Sequence, residues 1–258
     1  MGAGAPTITV ERQGGVARVA LDRPERRNAI SLALRRELAT ALGDLAADPA
    51  VGALILAGNG PVFCAGGDLD ELAALDGREA AIERLEAGNR MVQALAAFPV
   101  PTVAAVRGAA AGAGAALALA CDFLVAGGSA ELRLPFVGIG LAPDAGSSWL
   151  LPRRLGLPAA LRVALLGGRL DAGALAAAGV ADAVVADADV DAEADRLAQR
   201  LAAQPRAAVV AAKRLLAAGA ESTLEAALGA ELEVQVDLLG GADFRAALDR
   251  RKEAAGAR

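Results

Sequence analysis

The sequence predicts an α/β core followed by an all-helical region. Strand-like and helix-like segments alternate over residues 1–188 with little chain between them, a pattern typical of α/β folds. Beyond residue 189 only helical patterns remain. The 258 residues are 55% hydrophobic, so the chain can bury a large core. We therefore expect a core over residues 1–188 and a helical region over residues 189–258.

The first half of the core is predicted from periodicity, capping residues and turn glycines. Gly14-Gly15 separates two strand-like runs, which indicates a hairpin. Ser31 precedes an amphipathic pattern, where a helix N-cap is preferred. In order, the sequence predicts strands at 7–11 and 16–22, a helix with Leu34, Leu38 and Leu42 on its apolar face, a strand at 51–57, a helix start at Asp68 and Glu71 in capping-box spacing, a helix at 78–98 and a strand at 100–106.

The second half of the core is rich in small residues and then in leucine. Residues 108–121 leave a strand through glycine and alanine and enter a helix. The later elements are a helical stretch at 152–179, a short strand at 184–185, and helices at 189–203, 206–218, 222–239 and 243–254, the third opening on Ser222 and Glu225 as a capping box.

The helix predicted at 222–239 carries an apolar stripe. Leu224, Leu228, Leu232 and Val236 recur every four residues, and such a stripe has to be covered. The covering surface is either the chain's own core or another subunit. We favour a subunit interface, because amphipathic helical appendages are common contacts in oligomers.

Composition excludes several classes of chemistry. The chain has no histidine, which removes Ser-His-Asp and Cys-His catalysis, His-ligated zinc and His-ligated haem. Cys64 and Cys121 are too few for a disulfide framework or a thiolate metal site, and both lie in apolar segments. A net charge of −5 and few aromatic residues disfavour binding to nucleic acid.

No membrane or targeting segment is evident. The longest uncharged run, residues 108–121, is shorter than the ~20 residues that a membrane helix needs. The N-terminal residues lack the basic flank of a signal peptide. We expect a soluble cytoplasmic protein without a metal.

Two segments form the candidate site. Residues 108–122 keep side chains small where the backbone must approach a ligand, and residues 140–149 place the carboxylate of Asp144 at a helix start. Helix N-terminal amides favour negative charge, so together the segments can hold an anionic intermediate beside an acid or base. Two alternatives stay open. Asp144 is also a good helix N-cap, and small residues also serve close packing.

A dinucleotide-binding site is a further alternative. Gly112-Ala-Gly114 follows a strand and opens a helix, as a nicotinamide-binding fingerprint does, although Leu117 replaces the third glycine. Glu131 provides an acidic residue further along the chain. This match would indicate a nicotinamide oxidoreductase.

Four motifs together resemble the crotonase superfamily, the enoyl-CoA hydratases and isomerases. They are the Arg-Pro-Glu-Arg-Arg-Asn-Ala loop ending at Ala29, Phe63-Cys-Ala-Gly-Gly-Asp-Leu69, Gly112-Ala-Gly114 and the segment from Gly140 to Arg153. The resemblance spans nearly the whole chain. It implies a spiral of ββα units with a C-terminal helical region that forms trimers or dimers of trimers. It also implies an acyl-CoA thioester as substrate, with CoA as part of the substrate and no separate cofactor.

The resemblance also implies roles for individual residues. The family's oxyanion hole, two backbone N–H groups, falls on Gly67 and Ala113. The two glutamates that activate water in hydratases are replaced by Ala116 and Phe136, so hydration is disfavoured. Asp144 remains as an acid/base, and one carboxylate suffices to move a double bond through an enolate.

The segment around Asp144 most resembles the ring-epoxide acyl-CoA isomerases of phenylacetate breakdown. The resemblance further implies contacts to CoA or the acyl group from Arg26, Ala29, Ala65, Asp68, Leu69, Ala116, Phe136 and Trp149. Two other activities remain as alternatives. One is hydratase-type lyase activity, and the other is acyl-CoA binding without catalysis.

Overall fold

The computed structural model describes residues 6–256, which contain nine β-strands and eleven α-helices. Residues 1–5 of the predicted core and 257–258 of the predicted helical region lie outside the described part. The strands are β1 Ile8–Gln13, β2 Val16–Leu21, β3 Ala53–Gly58, β4 Thr102–Val106, β5 Ala109–Ala111, β6 Phe123–Gly127, β7 Glu131–Arg133, β8 Arg169–Asp171 and β9 Ala183–Val185. The helices are α1 Leu32–Ala47, α2 Leu69–Ala73, α3 Gly77–Ala96, α4 Ala113–Ala120, α5 Ser147–Leu155, α6 Leu157–Leu166, α7 Ala172–Ala177, α8 Val190–Ala202, α9 Arg206–Gly219, α10 Leu224–Gly240 and α11 Ala242–Gly256.

The strands form two sheets. The larger has the order β1-β2-β3-β4-β6-β9 and is parallel except for β1, which pairs with β2 as the predicted hairpin. The smaller has the order β5-β7-β8, with β5 parallel to β7 and β8 antiparallel to it. The strands buried on both faces, such as β3 and β4, read as continuous apolar runs because helices cover the larger sheet.

Successive turns of the chain supply one strand to each sheet and then a helix. In one turn β4 joins the large sheet, β5 joins the small sheet and α4 follows. In the next turn β6, β7 and α5 repeat this order. The chain after β3 makes a shorter version, in which Cys64 forms a single bridge with Ala110 of β5. This is the ββα spiral that the resemblance implied, and it confirms the predicted fold class.

Helix α8 packs against the larger sheet. Its residues Val190, Ala194 and Ala198 are fully buried against residues of the strands, including Ile55 and Val103. The predicted boundary between residues 188 and 189 therefore separates α8 from the sheet that it covers. The sequence missed this contact because the pattern of α8 marks an apolar face but does not identify the surface that covers it.

Helix α10 makes no such contact. None of its residues is buried, and Leu224, Leu228, Leu232 and Val236 are all exposed in the single chain. The chain's own core therefore does not cover the apolar stripe, and one of the two predicted alternatives is wrong. Among the described residues, no helix is long and apolar enough to cross a membrane.

Local predictions are confirmed in part. Ser31 caps α1, with its hydroxyl accepting from the N–H of Leu34 at 3.1 Å. The helical stretch predicted at 152–179 is interrupted by β8, which pairs with β7. The cap of α10 is Thr223, whose hydroxyl accepts from Ala226 N–H at 3.2 Å, so the predicted capping box at Ser222 is off by one residue.

Candidate active site

Two glycine-containing loops meet beside strand β5. The N–H of Cys64 donates to Ala109 O at 3.0 Å, and the N–H of Ala111 donates back to Cys64 O at 2.9 Å. This pairing places Gly66 so close to β5 that a methyl group on it would lie 2.7 Å from Ala111 O. Only glycine fits there. The residue after it, Gly67, therefore lies beside the start of α4.

Asn28 holds the first of these loops in place. It is fully buried, and its side-chain amide donates to the carbonyls of Asn59 and Val62 at 2.9 and 2.8 Å. Two residues later, Ile30 forms a bridge with Gly67. The Asn-Ala motif therefore has a structural role, which is to tie the loop before α1 to the loop that contains Gly67.

The backbone N–H groups of Gly67 and Ala113 are free to bind a ligand. In the described part of the chain neither donates one of the backbone hydrogen bonds that satisfy loops and helix starts. Ala113 is the first residue of α4, so its N–H belongs to the unpaired first turn, where negative charge is favoured. Both residues line the same cleft. The predicted pair of donors is thus brought together.

The cleft has a volume of about 530 Å³ and is mostly apolar. Its walls come from α2, α3 and the chain before α5, and they include Leu72, Leu85, Phe136, Ile139 and Leu141. The charged side chains in its lining, among described residues, are those of Arg35, Arg84 and Asp144. The site therefore offers room for an apolar acyl group beside a small cluster of charges.

Asp144 does not cap a helix. The N-cap position of α5 is Gly146, in a left-handed conformation with φ 75°, and no side chain caps this helix. Asp144 Oδ1 is buried and has no hydrogen-bond partner among described residues. Burial raises the pKa of Asp144, while the positive charges of Arg35 and Arg84 act in the opposite direction. The capping interpretation of Asp144 is wrong, and its carboxylate is available to a ligand.

Two buried arginines accompany Asp144. Arg35 continues the buried stripe of α1 formed with Leu38 and Leu42, and Arg84 continues that of α3, formed with Met91 and others. Both are less than one-tenth exposed. Burial and the charge of Arg84 lower the pKa of Arg35 to about 10, so Arg35 stays charged at neutral pH.

The sequence contained a signal for this pair. A charged residue within an apolar stripe of a helix has to meet an opposite charge or line a cavity, since an unpaired buried charge is very costly. The leucines of α1 alone predict its buried stripe, and Arg35 is the charged residue within that stripe.

Three of the predicted binding residues line the cleft and five do not. Ala65, Leu69 and Phe136 are in its lining. Ala116 is fully buried in α4 and is not in the cleft lining. The ring of Trp149 is half-exposed and stacked under Arg153 at 3.8 Å. It lies outside the cleft lining, so the structure does not show the ligand contact predicted for it.

The other three, Asp68, Ala29 and Arg26, are also outside the cleft lining. Asp68 caps α2 and pairs with Arg23 and Arg26 at 3.0 and 3.3 Å, so its carboxylate is used structurally. Ala29 accepts a hydrogen bond from Arg23 through its carbonyl. Arg26, half-exposed, also pairs with Asp70.

The dinucleotide alternative has no support in this arrangement. Glu131, its proposed acidic residue, pairs with Arg133 and Arg169 at 2.5 and 3.3 Å. Within the described residues, no group of three or more Cys, Asp or Glu side chains could hold a metal ion.

Comparisons with known proteins agree with this geometry. The family model for enoyl-CoA hydratase/isomerase matches residues 11–256. A protein named probable enoyl-CoA hydratase from Rhodobacter capsulatus is 40% identical over 93% of this chain and 92% of its own length. The 1,2-epoxyphenylacetyl-CoA isomerase of Escherichia coli is 36% identical over 90% of this chain and 89% of its own.

Among solved structures, an enoyl-CoA hydratase from Bacillus anthracis matches with a TM-score of 0.93 at 29% identity, covering 96% of this chain and 97% of that one. The sequence match covers nearly the whole chain, the fold is the same, and the paired loops and the cleft suit a thioester. The protein therefore belongs to the enoyl-CoA hydratase/isomerase family, whose members act on CoA thioesters.

Proposed function

We propose that the protein is an acyl-CoA isomerase that moves a double bond in an enoyl-CoA thioester, with Asp144 as the acid/base. The observation that supports this most is the position of a single unpaired carboxylate in the same cleft as two unused backbone N–H groups. Isomerisation needs one group that removes a proton and returns it elsewhere. It also needs donors that stabilise the charge which forms between these steps.

The steps follow from these groups. The thioester carbonyl accepts hydrogen bonds from the N–H groups of Gly67 and Ala113. Asp144 removes a proton from the α-carbon of a 3-enoyl thioester, and the electron pair passes into the carbonyl to give a dienolate. The protonated carboxyl of Asp144 then delivers that proton to the γ-carbon, the double bond moves to the α,β position, and Asp144 returns to its starting state.

The residues at the two positions that hold carboxylates in hydratases disfavour hydration. Water addition in hydratases uses two carboxylates, and the corresponding positions here are the buried methyl group of Ala116 and the ring of Phe136. Neither can transfer a proton. The one remaining acid, Asp144, cannot hold a water and protonate carbon at the same time.

Opening of a ring epoxide is a second candidate reaction for the same groups. The 36% identical relative from Escherichia coli is named for such a substrate. The strained C–O bond of the epoxide would break while the oxyanion hole and Asp144 stabilise the charge that develops. The apolar walls of the cleft suit a ring as well as a linear chain.

CoA would enter along the loop that contains Ala65 and Leu69, which line the cleft. Arg26 pairs with Asp68 of this loop, and the carbonyl of Ala29 accepts from Arg23, which also pairs with Asp68. We assign Arg26 and Ala29 to the CoA nucleotide. We further propose that the protein is a homotrimer or a dimer of trimers that covers the stripe of α10, since the single chain leaves it exposed.

The direct assay uses trans-3-hexenoyl-CoA and follows formation of the conjugated 2-enoyl thioester by ultraviolet absorbance. With a substrate deuterated at the α-carbon, deuterium at the γ-carbon of the product, detected by NMR, would report the proton delivery step. Conversion with this labelling is the expected result. Tight binding of the thioester without conversion would support the alternative of a non-catalytic acyl-CoA-binding protein.

A further inference from the structure

Asp144 is a base in an unfavourable place. The cleft is largely apolar, and burial of a carboxylate favours its neutral form, which cannot accept a proton. A neighbouring group in the cleft has to favour the charged carboxylate if Asp144 is to act as a base at neutral pH.

Arg35 and Arg84 are placed to do this. A methyl group on Gly67 would lie 3.1 Å from Arg84 Nη2 and 3.9 Å from Arg35 Nη2, so both guanidinium groups lie directly behind the oxyanion-hole residue. Arg84 is held by Glu71, whose carboxylate accepts from Arg84 Nη1 at 2.8 Å and from the N–H of Leu32 at the same distance.

Arg35 has no carboxylate within ion-pair distance among the described residues. Gly88 of α3 nevertheless leaves room for its guanidinium group, because a methyl group at this position would overlap Arg35 Nη1. A buried guanidinium in a prepared site without an ion-pair partner is costly unless an opposite charge lies close by.

The charged side chains around Asp144 come from several helices. Arg35 comes from α1 and Arg84 from α3, while Glu71 of α2 is engaged by Arg84. The part of the cleft lining that comes from α4 and residues 135–143 contains no charged side chain. On α5, Arg153 stacks on Trp149, and Arg154 donates to carbonyls at the end of α4.

We propose that Arg35, supported by Arg84, is a positioning residue that keeps the Asp144 carboxylate ionised inside the apolar cleft. The cluster then contains two cations and two carboxylates, and Asp144 provides the charge that Arg35 otherwise lacks. The proposal rests on the proposed function, because it explains how Asp144 can be the base.

The test is the pH dependence of kcat/KM for trans-3-hexenoyl-CoA. Arg35→Met should move the midpoint of the acid limb upward by about one unit or more, because removal of a nearby cation raises the pKa of a carboxylate. The rate should recover at high pH. Arg35→Lys, which keeps the charge, should leave the midpoint close to that of the wild type.

Arg36→Met is the matched control, since Arg36 is the next residue of α1, is exposed and pairs with Glu83. It should leave the profile unchanged. A rate that falls equally at every pH in Arg35→Met would overturn the proposal, because it would mean that Arg35 acts on the fold or on the enolate instead of on Asp144. If Arg35→Met does not fold, Arg84→Met carries the same prediction, with Arg90→Met as its control.

A readout without catalysis separates this proposal from the proposed function. The thermal stability difference between the wild type and Asp144→Asn, measured against pH, has a midpoint that reports ionisation of Asp144 in the folded protein. Adding Arg35→Met to both proteins should move this midpoint upward by about one unit. An unmoved midpoint would overturn the proposal even if no enoyl-CoA is turned over. An active Asp144→Asn enzyme would instead reject the proposed function.

Discussion

At the residue scale, Asp144 combines two conditions that ordinarily exclude each other. Its Oδ1 atom is buried without a partner, and two arginines lie in the same cleft. Burial alone would keep the carboxyl group of Asp144 neutral, so that it could not accept a proton. A direct ion pair with an arginine would lower its pKa and make it a weak base. The balance raises its pKa above the ordinary value, which suits a group that must accept a proton and then return it.

This balance predicts how stability depends on pH. Because the pKa of Asp144 is raised in the folded state, the folded protein binds this proton more tightly than the unfolded chain does. The proton on Asp144 therefore contributes fully to stability below the pKa that Asp144 has in the unfolded chain. This contribution is lost as the pH rises through the pKa of Asp144 in the folded protein. Asp144→Asn removes this loss, so the Tm of the variant relative to the wild type should increase as the pH rises above the ordinary pKa of a carboxyl group. A difference that stays constant or decreases would contradict the raised pKa.

Phe136 and Ala116 give a second prediction at this scale. Crotonyl-CoA should be hydrated at no more than about a hundredth of the rate at which trans-3-hexenoyl-CoA is isomerised, because the acid–base pair for water is missing. Both rates can be measured by the change in ultraviolet absorbance of the conjugated thioester. Hydration as fast as isomerisation would show that other groups activate water.

The single-residue roles were only partly readable from the sequence. The family motifs identified Gly67, Ala113 and Asp144, and the structure places all three in one cleft. The motifs could not separate a cap from a base at Asp144, since both need a carboxylate near a helix start. They also gave no information on Arg35, which belongs to none of the motifs and contributes through the packing of α1 against α3.

At the element scale, the site depends on the pairing of two loops that are distant in sequence. Cys64 pairs with β5, and this single bridge brings Gly67 beside the first turn of α4. The family resemblance implied that the two loops meet, but residue patterns alone did not predict it, because a one-residue bridge has no periodicity to detect. The same holds for β5, β7 and β8, whose three residues each are too short for a strand pattern.

Ala113 allows a direct test of the helix start. Proline is well tolerated at the first position of a helix but has no N–H, so Ala113→Pro should remove one donor and leave α4 formed. We expect kcat for trans-3-hexenoyl-CoA to fall about 10²–10³-fold, the usual effect of losing an oxyanion-hole donor. Ala113→Gly keeps the N–H and is the control. An undiminished kcat in the proline variant would exclude Ala113 from the oxyanion hole.

At the scale of the whole molecule, α10 has an exposed apolar surface, which we propose is covered by another subunit. Leu228 and Leu232 are 55% and 67% exposed in the single chain, within a stripe that runs the length of the helix. The sequence predicted this stripe and its two possible covers. It favoured a subunit interface but left the chain's own core open, because the direction in which α10 leaves the core is set by packing of the preceding helices.

Replacing Leu228 and Leu232 together by Asp should dissociate the oligomer, because charges placed in an apolar interface are costly. Multi-angle light scattering would show a change from trimer or hexamer to monomer. The pair Leu228→Met and Leu232→Met, which keeps the apolar volume, should leave the assembly intact. A monomeric wild type, or an assembly that tolerates both aspartates, would mean that α10 is not the subunit contact.

Asp144→Asn shows whether Asp144 transfers the proton during isomerisation. The amide keeps the size of the side chain but cannot accept a proton. We predict that turnover of trans-3-hexenoyl-CoA falls about 10²–10⁴-fold, while the Kd for hexanoyl-CoA changes little. Asp70→Asn, at an exposed carboxylate that lies outside the cleft lining, is the control and should stay active. An Asp144→Asn enzyme that retains more than about a tenth of the wild-type rate would contradict the account.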